Sequence, residues 1–82
     1  MLDVEYEPEF LRIICKIKDN TTKEQVKKQI KKIIENPEVG KPMMYDRRGT
    51  RELYVKPYRL SYSYIKHENR IIFLDLYHKK DQ

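Results

Sequence analysis

Basic side chains are the residues of this sequence best suited to do chemistry, and they cluster along the chain. The 82 residues contain 18 Lys and Arg against 13 Asp and Glu, which gives a net charge of +5. Residues 1–15 are mainly acidic, whereas most of the basic side chains lie in residues 16–35 and 41–82. A basic surface attracts polyanions such as nucleic acids, with an affinity that falls steeply as salt rises. The alternative is a solvated surface whose charge only keeps the protein soluble.

Histidine is the one side chain here that can exchange a proton near neutral pH. An unperturbed imidazole titrates at about 6.5. His78 stands in the sequence Tyr77-His78-Lys79-Lys80, where it is a candidate acid or base, and the alternative is a plain residue at the end of a strand.

Chain length and composition exclude several classes of protein. A chain this short buries only about 60–65% of the surface that it exposes when unfolded, so we expect one domain, residues 1–82, without a deep cofactor cavity. The longest apolar run, Ile71–Leu74, is far below the roughly 20 residues of a membrane span, and the start is acidic where a signal peptide is basic. We therefore expect a soluble cytoplasmic protein with no membrane contact. Cys15 is the only cysteine, which excludes an internal disulfide and a Cys cluster for zinc, and we expect its thiol in the core.

The spacing of apolar residues predicts two helices in the first half of the chain. A short alternating strand around Val4 stops at Pro8, which suits the first turn of a helix. Apolar residues at i, i+4 and i+7 predict a first helix that ends near residues 19–20. Residues 21–24 have the Thr-x-x-Glu form of a capping box, so a second helix begins there and ends at residues 36–37. The buried face of this helix is predicted to hold Val26, Ile30, Ile33 and Ile34.

The second half changes to the alternation of β-strands. Residues 37–46 predict a loop, residues 53–55 and 58–64 predict two antiparallel strands, and residues 66–69 predict a polar turn. Residues 71–77 are almost continuously apolar, as in a central strand covered on both faces. The predicted fold is α+β, in the order β-α-α-β-β-β, with two helices packed on one face of a four-stranded, mostly antiparallel sheet.

Together with this element order, several short motifs resemble those of the RelE/ParE toxin superfamily. The motifs are Asn36-Pro37-Glu38-Val39-Gly40-Lys41, Gly49-Thr50-Arg51-Glu52-Leu53, Tyr58-Arg59-Leu60-Ser61-Tyr62 and His78-Lys79-Lys80. The resemblance covers nearly the whole chain. It implies a basic concave surface on the sheet face opposite the helices, and a first strand that pairs with the last.

The resemblance also implies an activity and a partner. Members of the RelE branch cleave messenger RNA in the decoding site of the ribosome without metal or cofactor, and a cognate antitoxin of the RelB kind silences each of them in a complex. The ParE branch poisons DNA gyrase instead. We expect a ribosome-dependent endoribonuclease toxin. The alternatives are a gyrase poison or catalytically weak member of the same fold, and a stand-alone RNA-binding module.

Metal-free RNA cleavage needs a base, an acid and positive charge at the phosphate. The resemblance implies that Arg59 holds the scissile phosphate, because a guanidinium binds two phosphate oxygens at once; an ion pair with Glu52 or Asp75 is the alternative. The other implied catalytic residues are Arg51, His78 and Lys79. We expect them to converge with Arg59 on one hollow. The expected RNA-binding residues are Arg47, Arg48, Lys56, Lys80, Lys27, Lys28, Lys31, Lys32 and Tyr77, and for the helix lysines the alternative is a solvated helix face.

The sequence departs from the RelE pattern at two places. Thr50 and Glu52 stand where active relatives present lysine or arginine. The chain ends at Gln82 without the terminal tyrosine that many relatives use, so Tyr77 or a tyrosine of the third strand is expected to substitute for it. From these departures we expect cleavage that is slow, differently organised or absent.

Overall fold

The computed structural model of the chain describes residues 2–43 and 49–78. Their element order confirms the predicted fold class, with one strand more than expected. The elements are β1 (Asp3–Tyr6), α1 (Pro8–Lys16), α2 (Asn20–Glu35), β2 (Lys41–Pro42), β3 (Thr50–Val55), β4 (Tyr58–Ile65), a 3-10 turn (Lys66–Glu68) and β5 (Arg70–His78).

The strand that the sequence did not predict is β2, which lies within the predicted loop. Its two residues pair antiparallel with Glu52 and Arg51 of β3 at the edge of the sheet. A proline is tolerated in an edge strand because its missing N–H faces no partner. A strand of two residues is too short to produce a recognisable alternation in the sequence. This is why the sequence predicted four strands, whereas the sheet has five.

The sheet has the order β1-β5-β4-β3-β2. β1 runs parallel to β5, with Asp3 opposite Arg70, and the other neighbouring strands are antiparallel. The expected pairing of the first and last strands is confirmed. β5 lies between β1 and β4, so its backbone is paired on both sides.

The helix boundaries differ from the predicted ones at two points. α1 ends at Lys16 because Ile17 adopts an extended conformation (φ −72°, ψ 118°) that turns its side chain into the core. α2 begins at Asn20, and its N-cap is Asp19, which accepts hydrogen bonds from the Thr21 backbone N–H (3.2 Å) and the Thr22 hydroxyl (2.7 Å). The predicted capping box at residues 21–24 is therefore wrong. These hydrogen bonds, with that from Thr22 the larger cause, lower the pKa of the Asp19 carboxyl.

The core lies between the two helices and one face of the sheet, which we call the helix face. Fully buried residues from both layers meet there. Cys15 is exposed, so the prediction of a core thiol is wrong. It stands five residues after the buried Phe10, and at about 100° per residue this places it roughly 140° around α1 from the core. The buried side chains are Phe10, Ile17, Val26, Ile33, Val55, Leu60, Tyr62, Ile71, Phe73 and Leu76.

A bulge between β4 and β5 explains the continuous apolar run of the last strand. The pairing shifts from Ser61 opposite Asp75 to Tyr62 opposite Phe73, so Leu74 is an extra residue. The shift keeps Phe73 and Leu76, three residues apart, on the helix face. The expectation that β5 is covered on both faces is wrong, because both helices pack on the same face. No helix in residues 2–43 and 49–78 is long and apolar enough to cross a membrane.

Candidate nucleic-acid interface

The face of the sheet opposite the helices, which we call the open face, carries a polar cluster. Tyr54 pairs with Arg59, and Arg59 pairs with Tyr77, so alternation places these three side chains side by side across β3, β4 and β5. Glu52 lies two residues before Tyr54 and shares its face. We call these four residues the Arg59 cluster.

Glu52 is the centre of the Arg59 cluster. Its Oε1 lies 3.8 Å from Arg59 Nη1, and its Oε2 accepts a hydrogen bond from the Tyr77 hydroxyl. The Arg59 guanidinium carbon lies 5.8 Å from the centre of the Tyr54 ring, within the range of a cation–π contact. Glu52 is only 4% exposed, whereas Arg59 keeps 31% of its side chain exposed and Tyr54 is 51% exposed. The ion pair between Arg59 and Glu52, one of the two alternatives for this arginine, is present.

The geometry of the Arg59 cluster suits contact with a phosphodiester. A guanidinium has five N–H donors, and Arg59 Nη1 lies 3.8 Å from Glu52 Oε1. Arg59 Nε is buried and has no hydrogen-bond partner within the described ranges. The exposed Tyr54 ring offers a flat surface for a base to stack on. The negative charge of Glu52 offsets part of the attraction for phosphate. No three His, Cys, Asp or Glu side chains in residues 2–43 and 49–78 are grouped so that they could hold a metal ion.

Arg51 lies on the helix face, so the expectation that it converges with Arg59 is wrong. Its cross-strand partner is Tyr62, whose ring is fully buried in the core. Arg51 Nη1 donates hydrogen bonds to the backbone oxygens of Glu38 (3.0 Å) and Gly40 (2.7 Å), and Nη2 lies 3.8 Å from the Glu38 carboxylate. These contacts use the guanidinium to hold the loop after α2.

Tyr62 fixes the same loop from beneath. Its hydroxyl donates to the Pro37 backbone oxygen (2.7 Å) and accepts from the Gly40 N–H (2.9 Å). A Cβ atom at position 40 would lie 2.6 Å from the Tyr62 hydroxyl oxygen, so only glycine fits against the ring. Burial raises the pKa of the Tyr62 phenol, and the Gly40 hydrogen bond opposes part of that increase.

His78 also faces away from the Arg59 cluster. It is paired with Tyr58, and the two rings meet edge to face with centroids 5.9 Å apart. Tyr58 packs against the core, so this contact is on the helix-face side, while the preceding Tyr77 points to the open face. His78 therefore does not join Arg59. Lys56 is exposed in the turn between β3 and β4. Arg47, Arg48, Lys79 and Lys80 lie outside the described residues.

The α2 lysines form a second basic surface, on the side of the sheet that carries the helices. Four of them, Lys27, Lys28, Lys31 and Lys32, are exposed, and Lys27 pairs with Glu24 at 3.6 Å. The other three line a depression of about 400 Å³ between the last turns of α2 and the loop that follows it. Within the described part of the chain no carboxylate lies within ion-pair distance of these three ammonium groups. The lining residues are Lys28, Gln29, Lys31, Lys32, Glu35, Asn36 and Val39.

Sequence reasoning did not include Glu52 or Tyr54 in the site, and it included Arg51 and His78. The signal that separates them is strand parity. Arg51 alternates with Leu53 and Val55, whereas Glu52 alternates with Tyr54, so the faces of β3 are readable once the apolar face is known. The bulge at Leu74 interrupts the alternation of β5, so the two faces of that strand cannot be read from the sequence in the same way.

Two helices packed on one side of a mixed sheet, with the first strand parallel to the last, form a fold that is shared with several solved structures. The structure is similar to a chain of the intact Escherichia coli RelBE toxin–antitoxin complex (TM-score 0.79, 18% identity, covering 95% of this chain and 96% of that one). It is also similar to the YoeB/ParE toxin from Agrobacterium tumefaciens (TM-score 0.82, 13% identity, covering 94% of this chain and 98% of that one). A third similar structure is a chain of the RelBE2 toxin–antitoxin complex from Mycobacterium tuberculosis (TM-score 0.79, 22% identity, covering 95% of this chain and 98% of that one).

The sequence itself identifies the family. Residues 4–82 match the model of the ParE toxin of the type II toxin–antitoxin system parDE. The chain belongs to this family, within the RelE/ParE toxin superfamily, which confirms the resemblance noted in the sequence. No curated protein sequence matches the chain.

Proposed function

We propose that this protein is the toxin of a type II toxin–antitoxin pair and that it inhibits translation by cleaving messenger RNA in the decoding site of the ribosome. The observation that carries the proposal is the Arg59 cluster. It combines a guanidinium, a phenol hydroxyl and an exposed aromatic ring on the open face of a basic domain.

Three members of the Arg59 cluster have a role in the proposed reaction. Arg59 contacts the scissile phosphate and stabilises the charge that develops as the 2′-oxygen attacks. Tyr54 stacks on a neighbouring base. Tyr77 takes part in proton exchange. Arg51 and His78 are not part of the proposed catalytic set, because their contacts are on the other face.

Further positive charge for the RNA comes from segments next to the open face in the sequence. Lys79 and Lys80 directly follow β5, Arg47 and Arg48 shortly precede β3, and Lys56 lies in the turn between β3 and β4. We propose that these five residues contact RNA phosphates. Such contacts with phosphates contribute binding affinity that depends on salt but not on the RNA sequence.

The α2 lysines extend the proposal to ribosomal RNA. Lys28, Lys31 and Lys32 lie on successive turns around one depression and have no described acidic partner. We propose that they contact phosphates of the ribosome while the open face holds the message. Lys27, paired with Glu24, contributes less.

The proposed partner that silences the toxin is a cognate antitoxin of the RelB kind. The structurally similar chains from E. coli and M. tuberculosis come from RelBE and RelBE2 toxin–antitoxin complexes. We propose a cytoplasmic complex in which the antitoxin covers the open face with an extended and partly helical segment. Copurification with the product of a neighbouring reading frame tests this partner, and failure to find one favours a stand-alone RNA-binding module.

The decisive experiment incubates the purified protein with ribosomes and a defined message and maps the new 3′ ends. We expect cleavage that requires ribosomes and that is lost in Arg59→Ala. Arg12→Ala, which removes an exposed arginine on α1, is the matched control and should cleave normally. An intact message in the presence of active ribosomes would contradict the proposal.

A gyrase poison is the second candidate function. The matched family model is that of the ParE toxin, and the Glu52 carboxylate reduces the positive charge available at Arg59. A supercoiling assay with purified gyrase separates the two candidates. Arrested supercoiling together with an intact message would favour this candidate.

A further inference from the structure

Glu52 is a buried carboxylate on the sheet face that carries neither helix. Burying a carboxylate costs free energy unless it is paired and hydrogen-bonded. Here the partners include the Arg59 guanidinium at 3.8 Å and the Tyr77 hydroxyl, which donates to Oε2. Glu52 thus contacts the two residues that the proposed function places at the RNA phosphate.

Stability alone is a weak reason for this arrangement. A buried ion pair is often no more stabilising than apolar residues of similar volume, and the core of this protein is on the other face. The ion pair of Arg51 with Glu38 serves the fold differently, since Arg51 mainly holds backbone oxygens. The arrangement around Glu52 has one clear effect, which is to fix two long side chains relative to each other.

We infer that Glu52 is a positioning residue that holds Arg59 and Tyr77 toward one point of the open face, an inference that rests on the proposed function for the identity of the ligand. Arginine is flexible, and a guanidinium fixed before binding loses less freedom when it meets a phosphate. The Tyr54 ring, 5.8 Å from the guanidinium carbon, limits the movement of Arg59 from a second side.

The same contact sets the direction of the Tyr77 hydroxyl. Because its hydrogen is donated to Glu52, the phenol oxygen can act only as a hydrogen-bond acceptor toward any other group. It can then accept a hydrogen bond from an RNA hydroxyl beside the phosphate that Arg59 contacts. Glu52 itself touches no RNA in this arrangement.

A double-mutant cycle tests the inference. The variants are Glu52→Ala, Arg59→Ala and the double variant, and the readouts are affinity for a single-stranded oligoribonucleotide and growth arrest in cells. We expect Glu52→Ala to weaken binding about tenfold in the otherwise native chain and less than twofold when Arg59 is already absent. Equal losses in both backgrounds would overturn the inference.

Two further variants separate orientation from charge and from folding. Glu52→Gln keeps the size and an oxygen acceptor, so we expect it to bind RNA within about threefold of the native chain; a loss as large as that of Glu52→Ala would contradict positioning. Glu38→Ala removes the carboxylate that pairs with Arg51, also at 3.8 Å, and should leave RNA affinity unchanged. If Glu52→Ala does not fold, Glu52→Leu, which fills the buried volume without a hydrogen-bond acceptor, replaces it in the cycle, and the same coupling is expected.

The inference and the proposed function can fail separately. A chain that cleaves no message contradicts the proposed function. The double-mutant cycle can still be measured in that case, by affinity for the oligoribonucleotide or by growth arrest, because neither readout requires cleavage of a message. An additive cycle in a chain that does cleave contradicts the positioning role alone.

Discussion

Arg51 and Arg59 lie on neighbouring paired strands but on opposite faces of the sheet. Arg51 opposes the buried Tyr62 and holds the loop after α2, whereas Arg59 opposes Tyr54 and contacts Glu52 on the open face. One arginine therefore serves the fold and the other is available to a ligand.

The first prediction separates these two roles by mutation. Arg59→Ala should lower ribosome-dependent cleavage per folded molecule about a hundredfold or more and relieve growth arrest, because it removes positive charge from the transition state. It should also lower the melting temperature, because the buried Glu52 carboxylate loses its ion-pair partner. Arg51→Ala should lower the melting temperature and leave the cleavage rate per folded molecule unchanged. Thermal denaturation and single-turnover cleavage measure both quantities. Undiminished toxicity of soluble Arg59→Ala would exclude Arg59 from the site.

The second prediction concerns the depression beside α2. Lys28→Ala combined with Lys32→Ala should weaken ribosome association and reduce the slope of log affinity against log salt by about 1.4, since each phosphate contact contributes about 0.7 on a single strand. Codon preference should not change. Lys16→Ala with Lys18→Ala removes two exposed lysines outside the depression and is the control. An unchanged slope would identify the α2 lysines as a solvated surface.

The third prediction concerns Tyr62. Tyr62→Phe leaves the Gly40 N–H and the Pro37 carbonyl without their partner and should destabilise the protein by about 1–3 kcal/mol, measured by urea denaturation. Tyr64→Phe on the same strand should change stability little. Because burial raises the pKa of Tyr62 above 10.0, its stabilising contribution is present below about pH 10 and is lost as pH rises through the folded-state pKa. Tyr62→Phe should lack that alkaline loss, and an identical alkaline profile would contradict this account.

The fourth prediction concerns the pairing of β1 with β5. Arg70 donates to both oxygens of Glu5 (2.7 and 2.9 Å), and this hydrogen bond is the main cause that lowers the pKa of the Glu5 carboxyl below 4.5. A lowered carboxyl pKa gives stability that is present above about pH 4.5 and is lost as pH falls through the folded-state pKa. The native chain should therefore be more stable than Glu5→Gln above about pH 4.5, and this difference in stability, measured by urea denaturation at several pH values, should shrink as pH falls through the folded-state pKa. Parallel acid limbs for the two proteins would contradict the prediction.

Much of the fold is predictable because periodic apolar residues specify both helices and the long strands. Val26 and Ile33 mark the buried side of α2, and Leu60 and Tyr62 mark that of β4. What the sequence could not supply depends on tertiary context: the short β2 forms only because β3 lies beside it, and Ile17 leaves the helix to enter the core.

The site was less predictable than the fold because it depends on register. Arg59 could be identified by resemblance. Its position beside Tyr77, however, depends on the pairing of β4 with β5, and this pairing contains a bulge that no local sequence pattern predicts. Glu52 departs from the RelE pattern, and it is included in the site only because it contacts Arg59 and Tyr77 on the neighbouring strands.

The pairing of Asp3 with Arg70 across β1 and β5 has a consequence for how the protein folds. The strand that lies between β1 and β4 is contributed by residues 70–78, so a nascent chain that lacks this stretch has no partner for β1 and only β3 as a neighbour for β4. Contacts between residues so distant in sequence close late and slowly. A translation product that stops before residue 70 therefore lacks the strand with which both β1 and β4 pair.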